Sequence, residues 1–393
     1  FSAITTAGMF LGALVGGIIG DKTGRRNAFI LYEAIHIASM VVGAFSPNMD
    51  FLIACRFVMG VGLGALLVTL FAGFTEYMPG RNRGTWSSRV SFIGNWSYPL
   101  CSLIAMGLTP LISAEWNWRV QLLIPAILSL IATALAWRYF PESPRWLESR
   151  GRYQEAEKVM RSIEEGVIRQ TGKPLPPVVI ADDGKAPQAV PYSALLTGVL
   201  LKRVILGSCV LIAMNVVQYT LINWLPTIFM TQGINLKDSI VLNTMSMFGA
   251  PFGIFIAMLV MDKIPRKTMG VGLLILIAVL GYIYSLQTSM LLITLIGFFL
   301  ITFVYMYVCY ASAVYVPEIW PTEAKLRGSG LANAVGRISG IAAPYAVAVL
   351  LSSYGVTGVF ILLGAVSIIV AIAIATIGIE TKGVSVESLS IDA

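Results

Sequence analysis

The chain has 393 residues, 57% of them hydrophobic and only 12% charged, with a formal net charge of +7. A soluble globular domain carries roughly 25% charged residues, so this composition excludes that class. The Lys and Arg residues fall in alternate loops between apolar runs, which excludes a nucleic-acid partner as the reason for the basic balance.

Apolar runs of about 20 residues, the length that crosses a bilayer core, cover 1–19, 28–45, 52–74, 86–110 and 120–140. Further runs cover 203–230, 240–261, 269–287, 290–316, 328–351 and 356–378, so eleven membrane-spanning helices are expected. Helices are the expected form because each satisfies its own backbone groups in lipid. The basic loops are those with Lys22, Arg25 and Arg26, with Arg81, Arg83 and Arg89, with Lys263, Arg266 and Lys267, and with Lys325 and Arg327. The intervening loops around 46–50, 286–290 and 352–355 carry no Lys or Arg. This is the positive-inside pattern and places the basic loops in the cytoplasm. No secretory signal peptide is recognisable. The chain starts at Phe1, and its first run goes from outside to inside, so an earlier span is expected.

The stretch 141–202 divides the runs. It opens on "PESPRWLESRGRYQEAEKVMRSIEE", where Trp146, Tyr153, Ala156, Val159, Met160 and Ile163 recur at helical spacing. Short amphipathic helices at the cytoplasmic face are expected there, followed by an irregular proline-rich tail. Cys55, Cys101, Cys209 and Cys309 all fall inside apolar runs without a CxxC spacing, and read as buried small residues. No metal and no cofactor is expected. With a single His and no Ser/His/Asp cluster, no enzyme is expected either, and no Walker motif supports direct use of ATP.

The two halves match. "GDKTGRR" (20–26) corresponds to "MDKIPRK" (261–267), with Asp21 and Asp262 241 residues apart. "EYMPGRNRG" (76–84) corresponds to "EIWPTEAKLRG" (318–328), with Glu76 and Glu318 242 apart, and Glu142 pairs with Glu380 at 238. Three concordant offsets point to a duplicated bundle in parallel topology.

These residues carry a resemblance. "GIIGDKTGRR" and "CRFVMGVGLGA" (55–65) resemble loop and span motifs of the major facilitator superfamily over essentially the whole chain. "PESPRWL" (141–147) and "YVPEIWPTEAKLRGSG" (315–330) resemble its organic-ion branch, which includes aromatic-acid–proton symporters. "AGMFLGALVGGIIGDKTGRR" (7–26) is similar to the bacterial niacin (nicotinate) transporter group. The second-half loop departs from the first by Pro265 in place of Gly24. The resemblance implies an all-α membrane protein of the major facilitator fold, with two six-helix bundles and the first helix of the N-terminal bundle absent from this chain. Its parts are then an N-terminal bundle at 1–140, a cytoplasmic interdomain loop at 141–202, a C-terminal bundle at 203–380 and a cytoplasmic tail at 381–393. It further implies a multi-pass monomer in the inner (plasma) membrane.

The loop charges have two readings, a topology signal or a cytoplasmic latch. A latch is favoured because the carboxylate recurs in both halves. A carboxylate there can pair with an arginine or cap a neighbouring helix N-terminus. Its members would be Asp21, Arg25, Arg26, Glu76, Arg83, Glu142, Arg145, Asp262, Arg266, Glu318 and Arg327, with Glu76 facing Arg83 and Glu318 facing Arg327. Charges deep inside a span cost at least about 2.5–3.5 kcal/mol to insert and usually face a cavity. Arg56 could serve proton coupling or structural pairing. Glu33 and His36, three residues apart, share one helix face; His36 is either a packing residue or a proton relay, and Glu33 is close enough to the cytoplasm to belong to the charge layer instead.

Arg337 is the deepest charge. It either ties helices together or binds an anion, and its planar fork matches a carboxylate. The resemblance favours the anion, because organic-anion carriers have a basic site there. Gln218, Tyr219, Asn215 and Asn223 on the span 203–230, Tyr305 and Tyr310 on the span 290–316, and Asn95 and Trp96 on the span 86–110 would complete a flat, aromatic, partly polar pocket. The expected function is import of a small aromatic or organic carboxylate, nicotinate best fitting, by proton-coupled alternating access. The expected partners are the carboxylate, protons and the lipid bilayer. A drug or metabolite exporter is the alternative, disfavoured because 86–110 lacks the Gly-Pro-rich antiporter pattern. A non-transporting receptor of transporter descent is the other.

Overall fold

The structure is a computed structural model that describes residues 2–77, 83–172, 174–175, 191, 193–261, 263–320 and 324–381. Among these no strand forms. The helices run α1 Ser2–Thr23, α2 Arg25–Ala44, α3 Met49–Tyr77, α4 Arg83–Asn95, α5 Ser97–Leu108, α6 Ala114–Tyr139, α7 Pro144–Ser149, α8 Tyr153–Thr171, α9 Gly198–Thr231, α10 Leu236–Met247, α11 Gly249–Val260, α12 Arg266–Ser285, α13 Met290–Cys309, α14 Val316–Glu318 and α15 Lys325–Ile377. A π-helical turn, Tyr310–Tyr315, joins α13 to α14.

Eight helical stretches among the described residues are long and apolar enough to cross a membrane, against eleven expected. The difference has local causes. The spans expected at 328–351 and 356–378 are two helices joined end to end within the stretch α15 and parted at Gly355, as expected; its φ of 66° is a backbone region that only glycine enters readily. The run at 86–110 folds as α4 and α5, with Trp96 between them in helical conformation, and is not among the eight. The first run gives only a shorter apolar stretch, Ala3–Gly16.

The chain forms two compact units. One holds α1–α3 and, from Trp118 onward, α6–α8; the other holds α4, α5 and α9–α15. In the first unit, small residues set the crossing of α1 on α3. A Cβ on Gly12 would overlap the Val61 carbonyl, and one on Gly64 would overlap the Met9 carbonyl. Helices lacking a hydrophobic driving force in lipid associate through such close backbone packing. The Tyr32 hydroxyl on α2 donates to the Gly16 carbonyl at 2.9 Å. α7 and α8 form the expected amphipathic pair, with Trp146, Leu147 and Ala156 buried together.

In the second unit α9 and α15 lie along one another, and Gly336 lets α15 close on Leu211 and Asn215. α11 meets α13 in the same way, with Gly253 against the Thr302 backbone. A run of tyrosines fills the lower part of α13 and the π turn. Tyr307 donates to the Val210 carbonyl at 3.1 Å, and the Tyr310 and Tyr315 rings stack at 5.0 Å.

Candidate functional site

Arg337, on α15, is half-buried and forms no ion pair among the described residues. The Tyr219 hydroxyl, from α9, lies within electrostatic reach of its guanidinium and of the Tyr98 hydroxyl. Tyr98, from α5, meets Tyr305, from α13, edge to face at 5.2 Å. The fully buried Tyr305 hydroxyl has Tyr98, Gln218 and Tyr219 beside it. None of them completes hydrogen-bond geometry to it. Four helices therefore bring together one cation, three phenols and one amide. A buried hydroxyl without a partner is costly, so this arrangement suits a ligand that supplies one.

The structure thus gathers Arg337, Gln218, Tyr219 and Tyr305 of the residues expected for substrate binding. It does not bring the rest to the same point. Asn215 and Asn95 turn their amide N–H back to their own helices, onto the Leu211 and Ser91 carbonyls at 2.7 Å each. Asn223 is exposed. Trp96 packs edge to face on Phe92 and Phe248 at 6.4 Å. With Phe252, Phe255 and Phe298 it lines an aromatic cavity of about 280 Å³. Tyr310 belongs to the tyrosine stack, its hydroxyl against Gly270. Two further residues stand out in this unit. Tyr98, three residues beyond Asn95 and readable from the sequence as an aromatic of the same span, is the one that reaches Tyr305. Asn243, on α10, donates to Ser102 Oγ at 3.3 Å and keeps a buried, unbonded carbonyl oxygen.

The loop charges form two separate clusters. In the first unit, Glu142 Oε1 accepts from the backbone N–H of Arg25 at 2.6 Å, of Arg26 at 3.2 Å and of Ser143 at 3.0 Å. It therefore caps the N-terminus of α2, where unpaired N–H groups favour a negative charge. Gly24 permits this in two ways. Its φ is 96°, and a Cβ there would overlap the Glu142 carboxylate. The Arg26 guanidinium donates to the Trp137 carbonyl.

In the second unit, Glu380 accepts from the backbone N–H of Arg266 at 2.8 Å and of Lys267 at 3.1 Å, capping α12. The Arg266 guanidinium forks onto both Glu318 oxygens at 3.1 and 3.2 Å, and Thr381 donates to Glu318 at 2.6 Å. Glu318, expected opposite Arg327, is thus held by Arg266 and Thr381. Asp262 and the side chains of Asp21, Glu76, Arg83, Arg145 and Arg327 lie outside the described residues.

The intramembrane charged residues expected in the first unit lie on α2 and α3. Arg56, on α3, borders a cavity of about 440 Å³ with Ser46, Asn48, Trp118 and Arg119. Arg119 donates to the Ala44 carbonyl at 2.7 Å and sits 4.4 Å over the Trp118 ring. Glu33 and His36 face each other on α2, with Oε2 and Nδ1 3.6 Å apart. Among the described residues no group of three or more His, Cys, Asp or Glu stands where it could hold a metal ion.

A family model described as "Sugar (and other) transporter" matches residues 1–393. The inner membrane metabolite transport protein YdjE of Escherichia coli is 44% identical over 392 residues, which is 99% of this chain and 86% of that protein. The niacin transporter NiaP of Acinetobacter baylyi is 26% identical over 385 residues, covering 98% of this chain and 85% of its own. Among solved structures, the xylose transporter XylE of E. coli in a partially occluded, inward-open conformation superposes with a TM-score of 0.77 at 18% identity. It covers 98% of this chain and 87% of XylE.

Proposed function

Because the chain belongs to the sugar (and other) transporter family, with the fold of the major facilitator superfamily, we propose that it imports a small organic carboxylate by proton-coupled alternating access, with nicotinate the best-fitting substrate. That it is a multi-pass membrane transporter of a metabolite, and not an enzyme, follows from the family and from the similarity to YdjE. The carboxylate rests on one observation. Arg337 lies inside a membrane helix within reach of the Tyr219 hydroxyl, which has Tyr98 and Tyr305 beside it, with no carboxylate of the described chain to neutralise it. A charge held in lipid without a protein partner marks a functional site, and a guanidinium binds a planar carboxylate through two parallel hydrogen bonds. The aromatic surroundings suit a flat ring. The similarity to a niacin transporter supports the same substrate class. In this reading the basic loops, the 141–202 loop and the C-terminus are cytoplasmic, the chain acts as a monomer, and the repeat halves at 1–140 and 203–380 rock about the site.

The test is uptake of labelled nicotinate and benzoate into proteoliposomes under an imposed pH gradient, acidic outside, beside thermal-shift titrations with nicotinate and nicotinamide. Accumulation together with stabilisation by nicotinate alone is expected. No accumulation of either acid, or equal stabilisation by nicotinamide, overturns the proposal.

A further inference from the structure

Glu33 and His36 are the ninth and twelfth of the 20 residues of α2, in the middle of a membrane-length helix. Their side chains are 10% and 14% exposed. Glu33 Oε2 and His36 Nδ1 are both buried without a hydrogen-bond partner and stand 3.6 Å apart. Among the described residues neither has another ionic partner. The helix packed on this face is α3, whose Gly62 brings its backbone against Tyr32 and His36. The ionisable side chains described on α3 are Asp50, Arg56 and Cys55, all more than a turn from Gly62. On α1 the described charge is Lys22, at its end, and the Tyr32 hydroxyl is spent on the Gly16 carbonyl.

This isolation fixes what the pair can hold. With no proton it is an anion, with two it is a cation, and with one it is neutral. A net charge buried away from water is costly, so one proton gained or lost by the pair changes the charge that this helix must hold. Among the described residues nothing hydrogen-bonds to the two facing atoms.

Resting on the carrier reading above, we propose that the Glu33–His36 pair is the proton-binding site of the transport cycle. A proton from the water on the acidic side enters the pair while it is accessible there, making it neutral. The same proton leaves to water on the other side when access alternates, and the empty pair returns to be reloaded. One proton is bound and one released in each cycle, with no other bond made or broken.

The test uses the full chain in proteoliposomes and two readouts, accumulation of labelled nicotinate under a pH gradient and counterflow exchange of nicotinate without one. Glu33→Gln mimics the protonated carboxyl, and His36→Gln removes the titrating ring. Each is expected to cut gradient-driven accumulation at least tenfold while exchange stays within about twofold of wild type. Glu33→Asp keeps the chemistry and retains accumulation. Unimpaired accumulation by both Gln variants overturns the pair and leaves the carrier reading standing. So does loss of exchange together with accumulation in both, which assigns the pair to packing. A wild-type chain that exchanges but never accumulates overturns the pair as well. One that does neither removes the carrier reading and the pair with it.

Discussion

Arg337→Ala separates a substrate anchor from a structural tie. Arg337 lies nine residues beyond Gly328, where the apolar part of α15 starts. At 1.5 Å per residue that is about 14 Å, close to the middle of a core about 30 Å thick. A hydrogen-bonded contact to a charged group contributes roughly 1.5–3 kcal/mol, and each 1.4 kcal/mol is tenfold in affinity. Arg337→Ala should therefore weaken nicotinate binding about 10- to 150-fold. Because no acid of the described chain pairs with Arg337, the variant leaves no orphaned carboxylate. It also sheds an insertion cost of about 2.5–3.5 kcal/mol, so the apo protein should unfold at the same temperature or higher. Arg337→Lys keeps the charge without the fork and should fall between the two. Isothermal titration and thermal unfolding on the purified variants give both readings. Unchanged nicotinate affinity with a lowered unfolding temperature would refute the reasoning and make Arg337 a helix tie.

Tyr305→Phe removes a buried hydroxyl with no bonding partner, so apo stability should rise by about 1 kcal/mol while nicotinate affinity falls; denaturation and titration of one variant check both. Glu318→Gln breaks the fork on Arg266, whose side chain is 7% exposed, and should cost about 2–3 kcal/mol given the half-open carboxylate. Arg266→Lys should lose most of the same amount by equilibrium denaturation, since an ammonium cannot make both bonds. Gly12→Leu drives a side chain into the Val61 carbonyl and should cost about 3 kcal/mol or more, seen as loss of the monodisperse peak in size-exclusion chromatography. On exposed α8, the hydrogen bond from Arg152 holds the Glu155 carboxyl below the usual carboxylate range. Its contribution is therefore complete above the ordinary carboxylate pKa and lost as pH falls through the lowered value. Hydrogen exchange in the first turn of α8, corrected for intrinsic rates, should speed up only below that range.

The membrane helices were legible because lipid demands long apolar helices and the composition supplies them. The local irregularities at Trp96 and Phe248, where the chain stays in helical conformation, were not, because they leave no mark on hydrophobicity. Within the site, Arg337 stood out by its cost alone. The amides did not sort so easily. Asn215 and Asn95 have the same residue type and the same apolar surroundings as Asn243, yet both bond back to their own carbonyls four residues earlier. That local alternative is open to any Asn in a helix, and only the neighbouring helix decides whether it is taken. Tyr310 and Tyr305 likewise differ by five residues and a π turn, which sends one ring to Tyr315 and the other to Tyr98.

The duplicated loop carboxylates bear on what a latch can be made of. Glu142 and Glu380 reach back more than a hundred residues to cap α2 and α12. The contact runs to backbone N–H groups, so it does not depend on the side chains of Arg25 or Lys267; the first half reaches it with Gly24 at φ of 96° and the second with Pro265 at φ of −56°. The fork is different. In the second unit the guanidinium at the capped turn meets a carboxylate, Glu318; in the first, the Arg26 guanidinium meets a backbone carbonyl, that of Trp137. A carbonyl is neutral and takes fewer bonds, so the contact of Arg26 is the weaker and the less sensitive to neighbouring charge. The two halves therefore share the cap but not the clamp. Neutralising charges at the second-half turn should disturb the protein more than the matching change in the first, although the sequence motifs of the two loops look alike.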